Sequence, residues 1–127
     1  MQFHQRILLG CRVEESINLW HKVATEMEIS CDHEVRLEDF LLAIQDKDYH
    51  AIVIDLELFG ADEMKMIRLV HHMRPKIPVI TMVKNLDTTI GGQLYNEGVS
   101  HILVTPPCEE TIRTALMTIP KAVSKFK

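Results

Sequence analysis

Apolar and polar positions along the chain switch repeatedly between a short-run pattern and a helical one. The segment "FHQRILL" (3–9) reads as a strand. Over 14–27, Ile17, Trp20, Ala24 and Met27 recur on one helical face, which predicts a helix. A weaker strand is predicted at 28–35 and an amphipathic helix at 37–47. "AIVID" (51–55) is the most hydrophobic strand, and its β-branched residues favour extended backbone. A helix over 61–73 is stopped by Pro75, because the residue before a proline avoids helical backbone. "IPVITMV" (77–83) reads as a strand with proline near its start, where a missing N–H is tolerated. Asp87 is placed to cap a helix over 88–97, and Gly98 to end it. "HILV" (101–104) is the fifth strand. The last helix, 109–119, turns Ile112, Ala115, Leu116 and Ile119 inward.

Five strands thus alternate with five helices. Strands apolar along their whole length imply burial on both faces, hence a parallel sheet covered by helices. Right-handed crossovers make that a doubly wound α/β domain. No internal linker or low-complexity segment divides it, so residues 1–127 read as one domain. The stretch from 119 to 127 either ends the last helix or begins a linker.

Composition narrows the function classes. No apolar run approaches the roughly 20 residues of a membrane span, and the N-terminus lacks the layout of a signal peptide. A net charge of −4 gives nucleic acid no electrostatic footing. Cys11, Cys31 and Cys108 are odd in number and widely spaced, forming no zinc or redox motif, which points to reduced thiols in a cytoplasm.

In doubly wound sheets, ligands sit at the carboxyl ends of the strands. Gly10, Cys11 and Arg12 follow the first strand, Asp55 ends the third, Val83 and Lys84 come at the end of the fourth, and Thr105 and Pro106 follow the fifth. That set holds one carboxylate and one or two cations. No glycine-rich phosphate loop follows the first strand and no nucleophile–base pair is visible, so an enzyme is not expected.

From residue 5 to about 119 the chain resembles the receiver domains of bacterial two-component response regulators. "AIVIDLELFGADEMKMIRLVHHMRPKIPVI" is similar to the receiver segment that carries the phosphorylated aspartate, a loop with a glycine, a helix and the next strand. "HILVTPP" is similar to the family's fifth strand and the Lys-Pro after it. The resemblance implies a flavodoxin-like sheet in order 2-1-3-4-5, with Asp55 at the phosphoacceptor position. It also implies a cis peptide before Pro106, and protein partners: a histidine kinase, or a downstream output protein or domain. A membrane partner is not expected, and a homodimer through the face of the fourth helix, fifth strand and fifth helix is open.

The family's chemistry requires a Mg²⁺ ion held by the aspartate, an acidic pair after the first strand and a backbone carbonyl two residues past the aspartate. A Ser/Thr and a Lys then hold the phosphate, and an aromatic on the fifth strand reports the change. Here Cys11 and Arg12 stand at the acidic pair, Val83 at the Ser/Thr (Thr81 falls within the strand), Thr105 at the Lys, and Ile102 at the switch aromatic. Asp55, Glu57, Gly60 and Pro106 keep the family pattern. One carboxylate is a weak Mg²⁺ site, so no cofactor is expected unless the site is rearranged. Glu14 and Glu15 lie two or more residues past the acidic-pair positions. Arg12 is expected to lie against Asp55 as a permanent counter-ion.

Three readings follow: a degenerate receiver signalling through protein contacts, a receiver phosphorylated on Asp55 through a rearranged site, and an unrelated flavodoxin-like ligand-binding domain. Outside the site, Cys11 is read as a small core-edge residue, His71 and His72 as solvated surface, and the methionines and Trp20 as core. Gly91 and Gly92, inside the fourth helix, either loosen a docking face, mark a close backbone contact, or are merely a tolerated defect.

Overall fold

A computed structural model of the chain describes residues 5–58 and 62–120. The beginning of the predicted first strand, Gly60, the first residue of the predicted third helix and the tail 121–127 lie outside the described residues. The elements run β1 (Gln5–Gly10), α1 (Glu14–Glu26), β2 (Ile29–Glu34), α2 (Leu37–Asp46), β3 (Ala51–Asp55), a 3₁₀ turn (Leu56–Leu58), α3 (Glu63–Met73), β4 (Val79–Val83), α4 (Thr88–Asn96), β5 (His101–Val104) and α5 (Glu109–Met117). All five strands are parallel, in the order β2-β1-β3-β4-β5. The predicted fold class and strand order are those observed. The differences sit at element ends, where β4 starts two residues later than expected, after Pro78, and α5 stops at Met117 rather than 119.

Strand alternation divides the core into two layers. Ile7 and Leu9, Val53, and Ile80 and Met82 face one side, against Ile17, Trp20, Val23 and Ala24 of α1 and Ile112, Ala115 and Leu116 of α5. Leu8, Ile52 and Ile54, and Val79 and Val83 face the other, against Phe40 and Ile44 of α2, Ile67 and Val70 of α3, and Leu94 of α4. Trp20 is fully buried, and its indole N–H points at the Met82 sulfur 3.3 Å away. Its expected place in the core is therefore also a polar anchor.

Helix ends are closed by several devices. The Asp87 carboxylate accepts from the Ile90 N–H at 2.8 Å, the expected cap of α4. Gly98 follows α4 at φ 85°, the left-handed conformation glycine adopts without cost. Glu28 takes φ 60° after α1, an unusual choice for a residue with a β-carbon. The end of α2 is closed from another helix: the Arg74 guanidinium donates to the carbonyls of Ile44 (2.9 Å) and Gln45 (3.2 Å).

Candidate functional site

The parallel register builds the site. Gly10 lies opposite Ile54, so the next residues of each segment, Cys11 and Asp55, meet at the carboxyl edge of the two central strands. Gly10 has no space for a side chain: a β-carbon there would stand 2.7 Å from the Phe40 ring. That contact presses α2 against the strand end and fixes where Cys11 emerges.

Asp55 is only 3 % exposed. One carboxylate oxygen accepts from the Glu57 backbone N–H at 3.1 Å, and the other lies 3.5 Å from the Cys11 sulfur. Burial raises the Asp55 pKa, against the lowering effect of the Glu57 N–H and the Cys11 thiol. The Val13 carbonyl, 3.9 Å from the sulfur, competes with Asp55 for the same S–H. Burial and the neighbouring carboxylate push the Cys11 pKa up to about 11, which keeps it a thiol rather than a nucleophilic thiolate. Cys11 is fully buried, so it belongs inside the core and not merely at its edge.

The expectation for Arg12 is corrected by the structure. Its side chain is exposed, and its Nε donates to the Val35 carbonyl at 3.3 Å, past the end of β2. Among the described residues no ion pair includes Asp55, and no cation contributes to its pKa shift. Strand geometry explains the outcome. Cys11 continues β1 and points to the layer that holds Asp55, and Arg12 is turned the other way, toward water.

The remaining strand-end residues scatter. Thr105 donates weakly to the Val83 carbonyl (3.4 Å) and follows β5 through a cis Thr105–Pro106 peptide, as the resemblance implied. Lys84 and Glu57 are exposed, with Val83 buried between the strands. Ile102 is half-buried on β5. Glu14 and Glu15 are exposed in the first turn of α1. A cleft of about 290 Å³ opens beside the site, lined by Leu56, Glu57, Met64, Val83, Lys84 and Ile90 among others, and Asp55 is not in its wall.

Thr81 is the residue sequence reasoning undervalued. It lies within β4 as expected, opposite Ile54 and Ile102, fully buried, with a hydroxyl that has no hydrogen-bond partner among the described residues. A lone hydroxyl in an otherwise apolar strand was the available signal.

The donor set suits Mg²⁺ poorly. A hard divalent ion asks for several oxygen ligands in octahedral array. The group nearest the free side of Asp55 is a protonated thiol, and among the described residues no three His, Cys, Asp or Glu side chains converge.

No family model matches the chain, and no curated protein matches it by sequence. Solved structures match its fold closely. A response regulator from Thermotoga maritima superposes with a TM-score of 0.84 at 8% identity, over 92% of this chain and 98% of that one. The chemotaxis response regulator CheY4 of Vibrio cholerae gives 0.81 at 11% identity, over 94% and 100%. The structure of an adenylate cyclase from Rhodopirellula baltica gives 0.78 at 20% identity, over 91% and 86%. The chain has the CheY-like receiver fold, carried by a divergent sequence.

Proposed function

We propose that the chain is a degenerate receiver domain of two-component signalling, which works through protein contacts rather than by turning over phosphate on Asp55. One observation carries the reading: Asp55 is buried against the Cys11 thiol, where the family places a second carboxylate. A phosphoacceptor needs an ionised, accessible carboxylate and a cation to offset charge on the arriving phosphoryl group. Burial shifts Asp55 toward its neutral form, its neighbour is a thiol, and Arg12 and Lys84 are exposed elsewhere. The domain would then carry no Mg²⁺ and perform no catalysis.

The same reading gives the domain protein partners in a bacterial cytoplasm, a kinase or an output protein or domain, and neither nucleic acid nor membrane. No helix among the described residues is long and apolar enough to cross a membrane. The face of α4, β5 and α5 is the proposed contact surface, including one for a second copy. Tyr95 of α4, Val104 of β5 and Met117 of α5 stand 79%, 47% and 71% exposed, giving these elements apolar surface for a partner to cover.

A second reading keeps a working phosphoacceptor through a rearranged site. It is favoured by the outward turn of Arg12, which leaves no built-in guanidinium against Asp55. Incubation with acetyl phosphate and Mg²⁺, followed by intact mass, separates the two. No adduct is expected. A gain of one phosphate that disappears in Asp55→Asn would establish the second reading.

A further inference from the structure

The second cluster of chemistry in the molecule lies on the opposite edge of the sheet from β5. His21 on α1 and His33 on β2 bring ring nitrogens together, His21 Nε2 lying 2.9 Å from His33 Nδ1. The ring centroids are 5.0 Å apart and the planes cross at 85°. His33 is exposed on an edge strand, whose outer side has no neighbouring strand, and His21 is half-buried beside it. Both backbones are fixed by the core, through Ile17 and Trp20 on α1 and Ile29 on β2.

We propose that His21 and His33 form a two-nitrogen site for a borderline divalent transition-metal ion of the Ni²⁺, Cu²⁺ and Zn²⁺ class, its other positions filled by water. The geometry is close to what such an ion requires. With metal–nitrogen bonds of roughly 2.0–2.1 Å, two nitrogens at 90° are separated by about 2.9 Å and at the tetrahedral angle by about 3.3 Å. The observed separation equals the first, and in the metal-free chain it is held by an N–H···N hydrogen bond between the two rings. Loading exchanges that hydrogen bond for the metal: the bridging proton moves to the other nitrogen of its ring, and each ring turns so that both lone pairs meet beside the nitrogen–nitrogen line.

The chemistry selects the ion. Imidazole suits Zn²⁺, Cu²⁺ and Ni²⁺ and is a poor ligand for Mg²⁺ or Ca²⁺. Among the described residues no third His, Cys, Asp or Glu completes the pair, so hard-ion chelation has no oxygen cage to use. A bound ion would join α1 to β2 across a sequence gap of 12 residues. Nothing in this inference depends on Asp55 or on phosphorylation.

Titration of the chain with NiCl₂ tests it, read by calorimetry and by paramagnetic broadening of backbone NMR signals. Wild type is expected to take up one Ni²⁺ with broadening centred on residues near 21 and 33, and MgCl₂ to leave the same signals unchanged. His21→Ala and His33→Ala should each weaken binding by about tenfold or more, because a single imidazole loses the chelate advantage. His72→Ala, on exposed α3 surface, should not. Absence of Ni²⁺ binding, unchanged affinity in both site variants, or broadening centred on His71 and His72 overturns the proposal. The broadening map needs no substitution, so it holds even if a variant folds poorly.

Discussion

The Cys11 sulfur sits 3.5 Å from a carboxylate oxygen of Asp55, and both groups are buried. The pair puts a neutral thiol where the family has a second carboxylate, packed against a carboxyl group whose pKa burial raises. From that relationship follow testable consequences for pH, for metal binding and for the polar groups nearby.

Asp55 is expected to oppose folding at neutral pH. Its folded-state pKa is raised above the ordinary value of 3.8, mainly by burial. A raised carboxyl pKa contributes stability that is present below 3.8 and lost as pH rises through the folded-state value. Asp55→Asn keeps the shape and an acceptor for the Glu57 N–H but cannot ionise. It should raise Tm at pH 7, and the gain should shrink as pH falls through the raised folded-state pKa and be gone below 3.8. Thermal unfolding of both proteins across that range checks the sign, and an equal gain at all pH values would exclude ionisation as its source.

Cys11→Asp should turn the cleft into a Mg²⁺ site. A carboxylate at that position faces Asp55 directly, so without metal the two repel and the variant loses stability. Millimolar Mg²⁺ should restore it by binding the folded form alone, as linkage requires. Wild type should show no such Mg²⁺-dependent rise in Tm. Arg12→Asp alone should not create the site, since that side chain faces the Val35 carbonyl and solvent.

Much of this architecture was legible from the residues. The β-branched, mostly apolar runs at 51–55 and 77–83 read as buried strands, although β4 begins only at Val79, and Asp87 and Gly98 marked α4 at both ends. Asp55 was placed at the strand edge by where its apolar run stopped. The partner of Asp55 was not legible, because the choice between Cys11 and Arg12 turns on one step of strand alternation at a strand end, where the sequence has no periodicity left to read. The His21–His33 pair was invisible for another reason. The two residues sit on different elements, and only the packing of α1 beside β2 brings them together.

The orphaned hydroxyl of Thr81 predicts an unusual stabilising change. A buried hydroxyl without a partner costs roughly 1–3 kcal/mol in protein mutational data. Thr81→Val replaces it with a methyl group of similar shape between Ile54 and Ile102. Stability should rise by about 1 kcal/mol in urea unfolding, with no change in the slope. A loss of stability instead would mean that the hydroxyl has a partner in solution.

Removing the Arg74 guanidinium should cost more than a surface charge normally does. It closes the carboxyl end of α2 by donating to the Ile44 and Gln45 carbonyls, and Ile44 is itself buried. Hydrogen bonds from charged donors contribute about 1.5–3 kcal/mol. Arg74→Ala should therefore lower stability by roughly that amount, and Arg74→Lys should recover only part, because an ammonium lacks the planar fork. Faster hydrogen exchange confined to the last turn of α2 would locate the effect.

Gly91 and Gly92 decide whether α4 is loose by necessity or by use. The structure removes one explanation, because a β-carbon at Gly91 would meet only the Leu86 side chain at an ordinary 3.5 Å, and one at Gly92 would meet nothing within 4 Å. No close backbone contact asks for glycine at either place. Each glycine in a helix interior costs about 1 kcal/mol relative to alanine, so Gly91→Ala with Gly92→Ala should stabilise the domain by up to about 2 kcal/mol and slow exchange along α4. If the α4-β5-α5 face docks a partner by letting this helix adjust, the same double variant should weaken partner binding or self-association although the domain has become more stable. Slower exchange with association unchanged would remove the docking role of the glycines and leave them as a tolerated defect.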